Sequence, residues 1–311
     1  MRLFLYIFDA FIILYILFVA YCSLSLKLTH ATLLRPSRKE SGTTPIKRHQ
    51  DRYIAHKYYD TATSNNEGLN VLFFSDLHMP FTVLNPKRLI KIIKKYQSSC
   101  RIDAVIFGGD FANNKAGLIK AISFAKELAA YLDENKIPFG FVTGNHDVDF
   151  ADELRSEFRT WCLDGTTFTI ERGGKTYEIS GVSDYGRKNR IWPSMPCEDA
   201  PSSSSCARSA DNAPATKILI AHNPDWLLNA ISEHSQVPDF MLSGHLHDGQ
   251  IKLPFKLEFT LLRKDKLPKL GVTHGVYDLG NTSVFISSGA GNVLLPLRHF
   301  SMAEVTLVHV E

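Results

Sequence analysis

Val71-Leu72-Phe73-Phe74-Ser75-Asp76-Leu77-His78 is an apolar run that ends abruptly in a carboxylate and an imidazole. Such a run, closed by polar groups, predicts a buried strand over 71–75. The side chains just past it are of kinds that bind cations or move protons. The same grammar recurs along the chain. The run 104–107 leads into Gly109 and Asp110, 139–143 into Gly144-Asn145-His146-Asp147, 217–221 into His222, and 240–242 into Gly244-His245-Leu246-His247. Between these runs, 86–97, 115–135, 151–161 and 224–233 have helical period, and the resulting β-α-β-α order predicts a largely parallel sheet. In open α/β sheets the carboxyl ends of the strands border the ligand crevice. All these strand ends are therefore expected to deliver imidazole, carboxylate and amide groups to one place.

Each piece alone is weak. An Asp or Asn after a strand serves as readily as a turn or helix cap, and a lone His at a strand end is more often hydrogen-bonded than metal-bound. Their recurrence in this order carries the argument. His30, His49, His56, His234, His274, His299 and His309 have no such placement and are read as structural.

Together the motifs resemble the calcineurin-like metallophosphoesterases, whose pattern is Asp-x-His, Gly-Asp, Gly-Asn-His-Asp/Glu, a lone His, then Gly-His-x-His. The resemblance runs from about Gly68 to the C-terminus. Gly249, Gln250, Gly289, Gly291, Pro296 and Arg298 are similar to the branch whose members carry an N-terminal membrane or export segment. The resemblance implies an α/β fold, a two-sheet β-sandwich flanked by helices. It implies one metal on Asp76, His78, Asp110 and His247 and a second on Asp110, Asn145, His222 and His245, with Asp110 as the bridge. His146 would stabilise or protonate the leaving oxygen, with Asp147 fixing its tautomer. A donor set of nitrogen and oxygen without thiolate suits two divalent ions such as Mn, Fe or Zn. The implied reaction is hydrolysis of a phosphodiester, phosphomonoester or pyrophosphate by a metal-bridging hydroxide, without a protein nucleophile. Gly109, Gly144 and Gly244 would let backbone approach metals and phosphate. Asp248 and the pair Met79-Pro80 depart from the branch. Asp248 either adds negative charge beside the site or pairs with a cation or caps a turn. The same fold also serves as a non-catalytic interaction scaffold; the complete ligand set and His146 argue for the enzyme. Hydrolysis of a soluble nucleotide is the other alternative.

The remaining features bound the setting. A chain of 311 residues with 44% hydrophobic and 22% charged residues is globular, and a net charge of +3 is too small and dispersed for nucleic acid. Residues 10–26 carry no charge, so 1–26 reads as a membrane anchor. A cleaved signal peptide is the rival, but no small-x-small site follows, and Tyr21 before Cys22 argues against a lipoprotein. Lys27, Arg35, Arg38, Lys39, Lys47 and Arg48 follow the span while Arg2 precedes it, which favours a single-pass protein with a cytoplasmic domain. Residues 27–67 read as a polar, basic tether with one strand near 52–59, and 68–311 as the folded domain. Within it, 166–182 forms a hairpin around Gly173-Gly174 that implies a second, antiparallel sheet, and 186–216 is a surface insertion. The cysteines, five in number, form no disulfide framework, although Cys197 and Cys206 share that insertion and could pair in an oxidising compartment. The apolar segment 253–262 either lines a groove for acyl chains or caps the core. Lys87, Arg88, Lys91, Lys94 and Lys95 make a basic face on 86–97, either solvated or lipid-binding. An anchor beside a phosphoesterase centre points to a membrane-resident, lipid-linked phosphoester as substrate.

Overall fold

The computed structural model describes residues 2–36, 46–55, 68–184, 214–232 and 237–311. A first sheet is built from β1 (Leu26–Leu33), β3 (Tyr53–Ala55), β4 (Leu69–Phe74), β5 (Ala104–Phe107), β6 (Phe139–Phe141) and β13 (Ala303–Val310), in the spatial order β3-β1-β13-β4-β5-β6. A second contains β2 (Lys47–His49), β7 (Thr167–Arg172), β8 (Lys175–Val182), β9 (Thr216–Ala221), β10 (Phe240–Ser243), β11 (Gly275–Leu279) and β12 (Thr282–Ile286), in the order β2-β11-β12-β10-β9-β8-β7. The helices are α1 (Arg2–Leu24), α2 (Pro86–Gln97), α3 (Lys115–Glu134), α4 (Ala151–Glu157), α5 (Trp226–Ser232) and the single turn α6 (Leu257–Thr260).

The continuous apolar runs follow from the layering. Leu72, Phe74, Val105 and Phe107 face a core shared with α2 and α3, whereas Val71, Phe73, Ala104 and Ile106 face the second sheet. With both faces covered, the period-2 alternation is between two apolar environments. A third core closes the outer face of the second sheet, where Leu219, Met241 and Val284 meet Trp226 and Leu227 of α5 and Phe259 of α6. Helix ends are set locally: Asn85 caps α2 and Asn114 caps α3 through their side-chain oxygens, and Pro86 opens α2. Leu89, Ile92, Ile93 and Tyr96 of α2 are buried while Lys87, Lys91, Lys94 and Lys95 are exposed.

Three expectations change. The predicted strands do not share one sheet: β4, β5 and β6 run parallel in the first, and β9 and β10 run parallel in the second. The second sheet is accordingly mixed rather than antiparallel, with β8, β9, β10 and β12 parallel and antiparallel pairs at its two ends. The hairpin itself is as expected, with Gly173 and Gly174 at φ 57° and 73° as a type I′ turn requires.

The third change concerns the N-terminal segment. Residues 26–33, of which Leu26 was expected to end the anchor and 27–33 to begin a tether, are strand β1, in parallel register with β13 from Leu26↔Ala303 to Leu33↔Val310. Its polar residues hid it. Thr29 is buried, and its hydroxyl meets that of Thr306 at 2.7 Å. Residues 47–49 and 53–55 are also strands; of the expected 52–59, 56–59 lie outside the described residues. So do Arg38, Lys39, Cys197, Cys206 and 186–213 of the expected insertion, and Thr216 already belongs to β9.

If 26–33 belongs to the fold, then Leu33→Ala, at a fully buried side chain between the sheets, lowers stability by about 2–5 kcal/mol. Chemical denaturation of the full chain in detergent measures it; a neutral result would return the segment to a tether.

Candidate metal centre

The strand ends of both sheets meet at one edge of the sandwich. β4 supplies Asp76 and His78, β5 Asp110, β6 Asn145 to Asp147, β9 His222, and β10 His245 and His247. Asp76, His78, Asp110, Asp147, His222 and His247 are buried, His146 and His245 are half-buried, and Asn145 is exposed.

The donor atoms form two groups that share one oxygen. In the first, His78 Nε2 lies 3.0 Å from His247 Nε2 and 3.4 Å from Asp110 Oδ2, while His247 Nε2 lies 3.2 Å from Asp76 Oδ1. In the second, His222 Nε2 lies 3.1 Å from the same Asp110 Oδ2, 3.2 Å from Asn145 Oδ1 and 3.3 Å from His245 Nδ1. Two donors about 2.1 Å from one cation and at right angles to each other are about 3.0 Å apart. The observed spacings are of that size. The groups therefore fit two divalent cations with a carboxylate oxygen between them.

The outward ring nitrogens are committed elsewhere, which fixes the tautomers. His78 Nδ1 is 2.9 Å from Asn113 Oδ1, His222 Nδ1 donates to the Gly108 carbonyl at 2.8 Å, and His245 Nε2 is 3.2 Å from Asp265 Oδ1. In the neutral rings the nitrogens left facing the centre present lone pairs to one another, an arrangement that a cation or, at His222, a proton relieves.

Close approach is obtained by omitting side chains at two places. A Cβ on Gly144 would stand 2.1 Å from Asp110 Oδ1, and one on Gly244 would stand 2.4 Å from Asp76 Oδ2. The backbone is strained at the donors themselves. Asp76, His78, Asp110, His245 and His247 have φ of 56°, 44°, 62°, 70° and 53°, a region L-residues avoid.

The protein groups polarise one another strongly. Burial opposes ionisation of Asp76 and Asp110, but the imidazoles of His247, His222 and His78 around them hold both carboxyls well below the usual range. Burial also works against a charged His222, yet the Asp110 carboxylate beside it lifts this imidazole to about 10. His247, where burial wins, is pushed down to about 3. Burial and the Asp110 charge push Asp147 up to about 8, against the amide donations it receives.

Asp147 departs from its expected role. Its carboxylate accepts from the backbone N–H groups of Asp110, Phe111 and Gly144 at 2.9, 2.8 and 2.9 Å. None of its hydrogen bonds among the described residues reaches His146, whose ring instead stands edge-on to His78 at 4.8 Å between centroids. Asp147 thus clamps the β5 and β6 loops together. Asp248 takes the second of its two readings, pairing with Lys252 at 2.7 Å.

Three participants carried no sequence signal. Asn113, Asp265 and Asp184 occur in no motif; Asp184 lies with His222 and His245 in a further group of possible metal donors. Arg298, fully buried, donates to the carbonyls of Ser288, Gly289 and Gly291 at 2.9, 3.3 and 2.6 Å. It braces the loop after β12, on which Gly289 abuts Asp76.

The profile of the calcineurin-like phosphoesterases matches residues 69–249, more than half of the chain. The chain belongs to that family. Among similar proteins, a metallophosphoesterase of Helicobacter pylori strain J99 is 29% identical over 250 residues, covering 78% of this chain and 60% of that one. The metallophosphoesterase YkoQ of Bacillus subtilis is 28% identical over 251 residues, 76% of this chain and 82% of that one. A transmembrane protein with metallophosphoesterase domain from Danio rerio is 24% identical over 252 residues, 77% of this chain and 52% of that one. The chain thus spans less than two thirds of the Helicobacter and Danio proteins. Among solved structures, the sulfate thiohydrolase SoxB of Thermus thermophilus overlaps with a TM-score of 0.44 at 14% identity, covering 81% of this chain and 58% of that one. That likeness is too loose to carry an argument. The donor clusters and the family together support metal-dependent phosphoesterase activity.

Asp147→Asn keeps one oxygen for the Asp110 and Gly144 N–H groups but turns an NH2 group against the Phe111 N–H, so it costs about 1–3 kcal/mol in stability and releases metal because the Asp110 loop loosens. Thermal unfolding with elemental analysis reads both. Full metal retention would show that Asp147 acts through something other than this clamp.

Proposed function

We propose that the chain is a dinuclear-metal-dependent hydrolase of a phosphodiester, phosphomonoester or pyrophosphate in a membrane-associated substrate. One observation carries the reading: Asp110 Oδ2 faces both donor groups, 3.4 Å from His78 Nε2 and 3.1 Å from His222 Nε2. Asp76, His78, Asp110 and His247 would hold one ion, and Asp110, Asn145, His222 and His245 the other. Such ions, Mn, Fe or Zn by the donor chemistry, polarise a phosphoryl oxygen and make a water nucleophilic near neutral pH.

The chain's own groups supply the rest. Asn145, His146 and His245 line a cleft of about 590 Å³ together with Glu258, Arg263, Lys264 and Asp265; Arg263 pairs with Asp265 at 3.4 Å, and exposed Lys264 is the cation that can favour an anionic substrate. His146 is anchored by its backbone N–H, which donates to Asp110 Oδ1 at 2.8 Å. Its half-buried ring can hand a proton to the leaving oxygen as the P–O bond breaks. With Asp147 turned to the backbone, His146 stands as the acid without a carboxylate partner among the described residues.

The membrane part of the reading rests on α1. Residues Tyr6–Leu24 have a mean hydropathy of 2.3, and only 11% of that stretch is buried. The helix has the length and composition to cross a bilayer, and the Danio relative is itself named a transmembrane protein. The excess of basic residues after α1 favours a cytoplasmic catalytic domain.

Asp110→Ala is expected to abolish both activity and metal binding, whereas His146→Ala lowers kcat by about 10²–10⁴-fold with metal retained. Elemental analysis beside hydrolysis of bis(p-nitrophenyl) phosphate in Mn²⁺ separates the roles; metal loss in His146→Ala would merge them. For topology, protease added to intact spheroplasts should leave the domain whole, and its digestion without lysis would place the domain outside.

A further inference from the structure

The mouth of the cleft is built inside out. Gln250, which is buried, donates through Nε2 to the carbonyls of Val293, Leu295 and Leu297 at 3.0, 3.2 and 3.1 Å, and its Oε1 accepts from Val293 N–H at 2.8 Å. The polar backbone of this loop is satisfied inward, and its apolar side chains go outward. Leu294 is 78% exposed and Leu295 57%. Leu294, Phe255 and Phe300 sit at φ 59°, 58° and 54°, where bulky residues rarely sit, and the two phenylalanines are 92% and 62% exposed. Leu261 and Leu262, each 74% exposed, lie on the segment after α6. Leu262, Leu294 and Leu295 line the same cleft as His146 and His245. Apolar exposure concentrated around one opening marks an interaction surface.

What that surface meets follows from its neighbours. The Phe300 ring lies 4.8 Å from that of Phe18 on α1, and Tyr15 of α1 contacts His299 at 3.4 Å, so the apolar rim is continuous with the exposed apolar helix. Topology makes this more than a local contact. β1 follows α1 after one residue and runs parallel to β13, which is antiparallel to β4. The helix therefore leaves the domain at the edge where β4 ends in Asp76 and His78. The rim also carries exposed Lys256, Lys264, Lys266 and Lys269, with no exposed acid between 251 and 270. Apolar side chains interleaved with lysines are the make-up of a surface that rests in an anionic lipid interface.

We infer that Phe255, Leu261, Leu262, Leu294, Leu295 and Phe300 form a bilayer-contacting rim that opens the metal cleft onto the leaflet bordering α1. The cleft then takes a phosphoester in the headgroup of a lipid that stays in the membrane. This rests on the hydrolase reading and on α1 as the anchor. It also gives the apolar segment 253–262 two roles: Phe259 caps the core, and its exposed neighbours face the bilayer.

The test uses the full chain reconstituted into vesicles of phosphatidylethanolamine and phosphatidylglycerol with a trace of phosphatidylcholine bearing a diazirine on its acyl chain. Photolysis and peptide mass spectrometry map the adducts, and turnover of soluble bis(p-nitrophenyl) phosphate with Mn²⁺ is read on the same vesicles. Adducts are expected on α1 and on the rim, with rim yields about tenfold above those of the 98–101 and 135–136 turns at the opposite edge of the sheet. Phe255→Ser with Leu261→Ser should cut the rim yield severalfold and leave that of α1 intact. Adducts confined to α1, with turnover intact, overturn the inference and leave the hydrolase standing. Adducts absent from α1 overturn it by removing the anchor. Rim adducts without turnover uphold the surface and count against the hydrolase alone.

Discussion

Two carboxylates, Asp76 and Asp110, are fully buried beside one another, and the surrounding architecture follows from that constraint. An ion taken from water into a protein interior costs several kcal/mol unless partners replace its hydration. Here the partners come from every side. Asp76 accepts from His245 N–H at 3.1 Å and Asp110 from His146 N–H at 2.8 Å, with the imidazoles of both sheets pointing at their remaining lone pairs. Such convergence needs sharp turns at the strand ends, and the donors themselves adopt left-handed backbone to make them. At about 1 kcal/mol or more per residue, these turns alone consume a large part of the 5–15 kcal/mol by which domains are usually stable. Cation binding, coupled to folding, is the natural offset.

The site is also tied to the far side of the first sheet. Burial would raise the Glu304 carboxyl, but His274 and the Tyr53 hydroxyl bring it down to about 2. His274 Nε2 is 3.2 Å from Glu304, and its Nδ1 is 3.8 Å from Asp248, the residue after the donor His247. Strand β3, which carries Tyr53, is thereby linked through buried polar groups to the turn that presents His247. The N-terminal strands are structural parts of the catalytic unit.

The site was legible where chemistry and local pattern coincide. Asp76, His78, Asp110, Asn145, His222, His245 and His247 each follow an apolar run, and the runs could be recognised as strands without knowing their partners. Which sheet each strand joins could not be read, because β5 and β9 look alike from inside the chain and differ only in what they pair with. β1 escaped for a related reason: Thr29 and Thr32 break the apolar pattern, and their place is justified by a strand at the other end of the sequence. Asp147 was assigned to the wrong neighbour because adjacency to His146 is visible in sequence, whereas amide donors from the β5 loop are not. Gln250 satisfies backbone carbonyls of a loop more than forty positions away, and nothing local announces that.

The place of β13 has a consequence for how the molecule is made. It fills the gap between β1 and β4, and the contact between Thr29 and Thr306 spans 277 positions of sequence. During synthesis the helix and β1 leave the ribosome first, then β4 with β5 and β6, while the strand that joins them is still untranslated. Pairings so distant in sequence form slowly. Until β13 arrives, the first sheet exists as two unjoined halves with open hydrogen-bonding edges, and α1 has no fixed attachment to the metal-bearing half. The nascent chain therefore carries exposed strand edges for most of its elongation, and chaperoning or rapid completion guards it against pairing with another copy.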